Sequence, residues 1–168
     1  FFQQRKRSME WEPFNKPKPL LVNMSYTQFT GEITQGVSWY YSLPLPIRGG
    51  YKKATLVSVN FKNIYTGGIL ASIGIEIKEL PKNVVRDAYN GVKAVPNFVV
   101  PNRTWASTPV QCFWDNYGAK LENATVHLDE NITDIDTLTL RLWDGTQAPL
   151  VTAAPPPTYF CDIALLFE

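Results

Sequence analysis

Residues 69–79 constrain the fold more than any other part of the chain. Ile69, Ala71, Ile73, Ile75 and Ile77 alternate with Leu70, Ser72, Gly74, Glu76 and Lys78. A side-chain period of two gathers the first set on one face of an extended strand, and no helix can do the same. A strand with one apolar face must cover it with another layer. Similar runs recur at residues 20–29, 37–43, 54–61, 97–100, 109–114, 123–128, 136–143 and 159–167. Within 54–61, Thr55, Val57, Val59 and Phe61 share a face, opposite Leu56, Ser58 and Asn60. The run 37–43 is closed by Pro44 and Pro46, because proline donates no ladder hydrogen bond. Leu138, Leu140 and Leu142 share one face of their strand. Tyr159, Cys161, Ile163, Leu165 and Phe167 share a face of theirs. The core is expected to hold Val57, Val59, Ile73, Ile75, Leu140, Leu142, Ile163 and Leu165.

One stretch breaks the rhythm. In residues 81–91, Pro81 suits a first helical position and Gly91 the position after a helix. Val84, Val85, Ala88 and Tyr89 fall on one helical face, so a short helix is expected there. Asp144-Gly145 marks a turn. Eight or nine strands with turns at about ten-residue spacing read as an antiparallel sandwich or barrel. Long connections and one helical insertion favour an eight-stranded jelly roll with a short helix in a loop. An immunoglobulin-like sandwich is disfavoured, because no Trp stands suitably between Cys112 and Cys161.

The chain has 168 residues, 45% of them hydrophobic, which suits one domain with a sizeable core. Charged residues make up 18% and the net charge is +1, unlike a wholesale nucleic-acid binder. That charge is unevenly placed. Residues 1–19 form an arm of net +3, while residues 20–168, read as a single domain, carry net −2. Pro13, Pro17 and Pro19 exclude a helix in the arm and keep it extended. Phe1, Phe2, Trp11 and Phe14, with Arg5, Lys6 and Arg7, suit an arm that docks on a neighbouring surface better than a solvated tail. The longest uncharged, Pro-free stretch, residues 63–75, is too short to span a bilayer as a helix. The chain opens on Phe1, which leaves the presence of a leader open.

Chemistry-bearing motifs are sparse. The single histidine, His127, shares the polar side of its strand with Asn123 and Thr125, opposite Ala124, Val126 and Leu128, and reads as a surface residue. No nucleophile elbow, phosphate-cradling glycine loop or zinc-ligand spacing occurs, so neither enzyme activity nor a cofactor nor a metal is expected. Asp129, Glu130, Asp134 and Asp136 form the one acidic cluster. Ile132 interrupts it and the spacing fits no calcium loop, so it reads as a solvated turn. Cys112 and Cys161 lie in apolar strand patterns and read as buried thiols, with one disulfide as the alternative. Asn23, Asn102, Asn123 and Asn131 stand in N-x-S/T sequons, open to glycans if the protein is secreted. Trp39, Tyr40 and Tyr41 place at least one aromatic on each face of their strand. That suits a core plus a subunit interface, or stacking on sugar rings.

The C-terminal third carries a family resemblance. Asp134–Asp136 precede Leu138-Thr139-Leu140-Arg141-Leu142; Asp144-Gly145 and Pro149 follow, and an apolar strand, residues 163–167, closes the run. This resembles the closing strands of single jelly-roll virion proteins, among them penton and minor capsid proteins of double-stranded DNA viruses. The basic, aromatic arm, on a chain without an initiator Met, is also similar to such proteins. The resemblance spans about 48 of the 168 residues as a pattern and not a signature motif. It implies a structural protein located in the virion, assembling with copies of itself and with other capsid proteins. Arg5-Lys6-Arg7 departs from the dense Arg run of a genome-packaging tail, which argues against direct genome contact. A second class stays open on the sequons and aromatics: an extracellular β-sandwich, TNF-like or lectin-like, that binds glycans or receptors.

Overall fold

The computed structural model describes residues 17–25, 29–30, 39–62, 71–87, 91–101, 111–115, 124–128, 134–145, 148–149 and 160–168. Among them the chain is almost entirely strand. In order, these are β1 (Leu20–Ser25), β2 (Phe29–Thr30), β3 (Trp39–Ile47), β4 (Lys53–Lys62), β5 (Ser72–Ile77), β6 (Asn83–Asp87) and β7 (Gly91–Val95). Then come β8 (Phe98–Pro101), β9 (Gln111–Asp115), β10 (Thr125–His127), β11 (Ile135–Asp144), β12 (Ala148–Pro149) and β13 (Phe160–Phe167).

Every ladder is antiparallel, and two sheets carry the body. The first runs β1-β13-β4, and the far edge of β4 is shared by β10 near its start and β9 near its end. The second runs β2-β3-β11-β5-β8, with β12 folded back on the end of β11. A separate ribbon pairs β6 with β7. The arrangement is that of a β-sandwich.

A single apolar cluster lies between the layers. Val22, Met24, Leu56, Val59, Val126, Ile163, Leu165 and Phe167 come from the first sheet. Tyr41, Ile47, Ile73, Ile75, Ile77, Phe98, Val100, Leu138, Leu140 and Leu142 come from the second. Each large side chain buried this way contributes about 1.5–3 kcal/mol of transfer free energy. Seven of the eight expected core residues are buried, and Val57 is not. The cause is a bulge in β4. Leu165 pairs with Leu56 and Ala164 with Ser58, so Val57 has no partner on β13. One extra residue reverses the alternation, and Leu56 and Val59 both point inward.

Two further expectations are corrected. The strand expected to end at Pro44 continues as β3 to Ile47. Ser42 pairs with Thr137 and Ile47 with Ile135, so residues 43–46 bulge out of the ladder. Pro44 and Pro46 sit in that bulge, where a missing N–H costs nothing. The helix expected over residues 81–91 is absent. Asn83–Asp87 is a strand paired with Gly91–Val95, from Asn83↔Val95 to Asp87↔Gly91. Gly91 has φ 75°, a conformation that serves a helix end and a hairpin equally well. β-branched Val84 and Val85 favour the extended choice.

Candidate functional site

The described residues hold little that could do chemistry. His127 is exposed at the end of β10, opposite Lys53, with Ala124, Val126 and Leu128 buried on the other side of the strand. No group of three His, Cys, Asp or Glu side chains that could hold a metal occurs among the described residues. Asp134 and Asp136 are exposed on either side of the buried Ile135, and Asp134 lies 3.7 Å from Arg48. Asp129 and Glu130 fall outside the described residues.

The cysteines are separated by register. Cys112 on β9 and Cys161 on β13 both oppose Phe61, from opposite sides of β4. Their Cα atoms are therefore two strand spacings apart, about 9.6 Å. A disulfide needs less than about 7 Å. This backbone separation removes the alternative of a Cys112–Cys161 bridge.

One surface feature of the described residues is an apolar groove of about 210 Å³ lined by Leu20–Asn23, Tyr41 and Leu43–Leu45. It lies where the two sheets meet at one edge. β1 ends the first sheet, with β13 as its one strand neighbour among the described residues. On the other sheet, among the described residues, β2 covers β3 at Tyr40 and Tyr41 alone. The proline bulge at residues 43–46 then turns Leu43, Pro44 and Leu45 to the groove. Tyr41 joins the two sides: its ring is buried and its hydroxyl donates to the Asn23 carbonyl at 3.2 Å. Leu21 is 51% exposed and Leu45 78% exposed, flanking the opening. Large apolar side chains this exposed at adjoining strand edges are what a docking surface presents.

The aromatic run divides as expected, with Tyr41 in the core and Tyr40 exposed; the Trp39 side chain falls outside the described residues. Of the sequons, Asn23 is exposed on β1, and Asn102, Asn123 and Asn131 fall outside. So do the arm residues Phe1, Phe2, Arg5, Lys6, Arg7, Trp11 and Phe14. The arm's last residues rest on the body: the Tyr51 hydroxyl donates to the Lys18 carbonyl at 3.2 Å. Leu45 was missed as a site residue. A leucine between two prolines was its signal, because a strand interrupted twice cannot keep its side chains in the regular alternation.

The chain matches no protein-family model and no curated protein. No helix among the described residues is long and apolar enough to cross a membrane.

Proposed function

We propose that the chain is a structural subunit of a virion shell, a single jelly roll that assembles with copies of itself and other capsid proteins. The observation that carries the reading is the nested order of strand pairing. Taking β9 and β10 together, eight main strands remain: β1, β3, β4, β5, β8, β9/β10, β11 and β13. The first pairs with the eighth, the second with the seventh, the third with the sixth and the fourth with the fifth. Such nesting is a long hairpin rolled into two sheets, the winding of jelly rolls in capsid and lectin domains.

The groove between β1 and β3 receives the N-terminal arm of a neighbouring copy. The arm brings four aromatic residues and net +3 to a body of net −2. Its prolines keep it extended, so ordering it costs less entropy. Genome contact is not part of this reading, since three adjacent basic residues would bind nucleic acid weakly and lose that binding steeply with salt.

Sedimentation velocity and negative-stain imaging test the proposal. A closed ring or shell is expected, five-fold or three-fold in symmetry. A stable monomer at micromolar concentration would count against it. The exposed sequon residue Asn23 favours a second reading, an extracellular glycan- or receptor-binding sandwich. Asn23 lines the groove, so a glycan there would obstruct the arm. Intact mass of the secreted protein separates the two readings at this one residue.

A further inference from the structure

The ribbon β6–β7 is a second surface feature, set apart from the groove. It pairs with no strand of either sheet among the described residues. A two-stranded hairpin alone is marginal in water, yet this one is mounted firmly. Asn97, 4% exposed, sits at its base. The Asn97 Oδ1 accepts from the Ile77 N–H at 2.6 Å, and its Nδ2 donates to the Pro81 carbonyl at 2.8 Å. The Asn83 Nδ2 donates to the Asn97 carbonyl at 3.0 Å. One buried amide thus ties the end of β5, the start of β6 and the entry to β8. The body holds the hairpin in place before any partner arrives, which reduces the ordering cost of binding.

The hairpin is basic and partly apolar. Lys82, Arg86 and Ala94 are exposed, and Val84 is 60% exposed. The same end of the sandwich bears carboxylates. Ile77 pairs with Leu140, so the chain leaving β5 runs alongside the start of β11, where the Lys78 N–H donates to the Thr139 carbonyl. Asp134 and Asp136 stand at that start. Residues 129–136 contain four carboxylates and no basic residue. Among the described residues, Lys82, Arg86 and Asp136 form no ion pair within the chain.

We infer that the β6–β7 hairpin of one copy docks on the acidic start of β11 of the next copy, a head-to-tail contact that repeats around a ring. The inference rests on the shell reading and adds the surface that sets its geometry. Basic and acidic patches lie at the same end, and among the described residues Lys82 and Arg86 pair with neither Asp136 nor Asp134, which faces Arg48 at 3.7 Å; a neighbouring copy can bring the two patches together. Such a heterologous contact closes when the rotation per subunit divides a full turn. Val84 supplies the apolar centre of the contact and the charges set its register.

Sedimentation velocity of the full chain tests this with three variants beside wild type. Lys82→Glu/Arg86→Glu should raise the concentration needed for assembly on the order of a hundredfold. Combining it with Asp134→Lys/Asp136→Lys should recover most of that loss. Val84→Asp should weaken assembly without altering the circular dichroism spectrum, since the side chain is exposed. If wild type assembles and the hairpin variants assemble equally well, the contact is overturned and the shell reading stands. Failure of the combined reversal to recover assembly also overturns the contact. A monomeric wild type overturns both. Hairpin variants that assemble normally but lose binding to a single-stranded oligonucleotide overturn the contact in favour of nucleic acid.

Discussion

Gly74 shows how a single position can be decided by residues far away in sequence. It lies mid-strand in β5 and is buried. A Cβ there would collide with the Gly145 carbonyl oxygen, lie 2.5 Å from Pro96 Cγ and lie 2.9 Å from Trp143 Cβ. Backbone and a proline ring cannot swing aside as a flexible side chain would. Gly74→Ala should therefore destabilise the protein by about 3 kcal/mol, read as a lower urea midpoint with an unchanged slope. The sequence placed Gly74 correctly on the face opposite Ile73 and Ile75 but gave no reason for a glycine. Gly145 and Trp143 come close only because β11 pairs with β5. Asn97 was equally hidden: as the first residue of the strand-like run 97–100 it gave no sign that Ile77 and Pro81 converge on its side chain. The core isoleucines and leucines of β5, β11 and β13 were legible because alternation alone assigns their face.

Bulges and hairpins set the boundary of what alternation can reveal. The expected face of β4 was right for Val59 and wrong for Val57, because one unpaired residue reverses every side chain before it. Leu56→Ala should then cost about 2–5 kcal/mol, and Val57→Ala about 1 kcal/mol or less. Equal costs, measured by chemical denaturation, would place the bulge elsewhere. The ribbon β6–β7 was misread as a helix because its clearest signal, Gly91, marks positive φ and not the element that requires it. Register between strands is likewise invisible in one sequence, and it is register that separates Cys112 from Cys161. Unfolding the protein without reductant and titrating with a thiol reagent should find both of the chain's two cysteines free. A blocked pair would contradict the alignment of β9 and β13 on β4.

At the scale of the molecule, the class of fold was readable from composition and rhythm, whereas the groove was not. It depends on β1 and β3 belonging to different sheets and meeting at one edge through Tyr41. Deleting residues 1–16, while keeping Lys18 for its bond to Tyr51, should leave the β-rich circular dichroism spectrum intact and impair assembly. Leu21→Asp with Leu45→Asp should have the same effect, since each anchor lost is worth about 1–3 kcal/mol. If the truncated chain assembles as before, the groove has another occupant. If it fails to fold, the arm belongs to the core. The position of β13 has a different consequence, in time. It sits between β1 and β4, pairing Leu20 with Phe167 and Val59 with Ile163. While the ribosome is still making the residues between, β1 and β4 have no central strand to join them, and both present open edges. The first sheet can close only after residues 160–167 have emerged, across 97 residues from β4 and 134 from β1, the kind of long-range closure that makes folding slow. During synthesis the nascent chain therefore passes through a long interval in which its own last strand competes with any other extended segment for that slot.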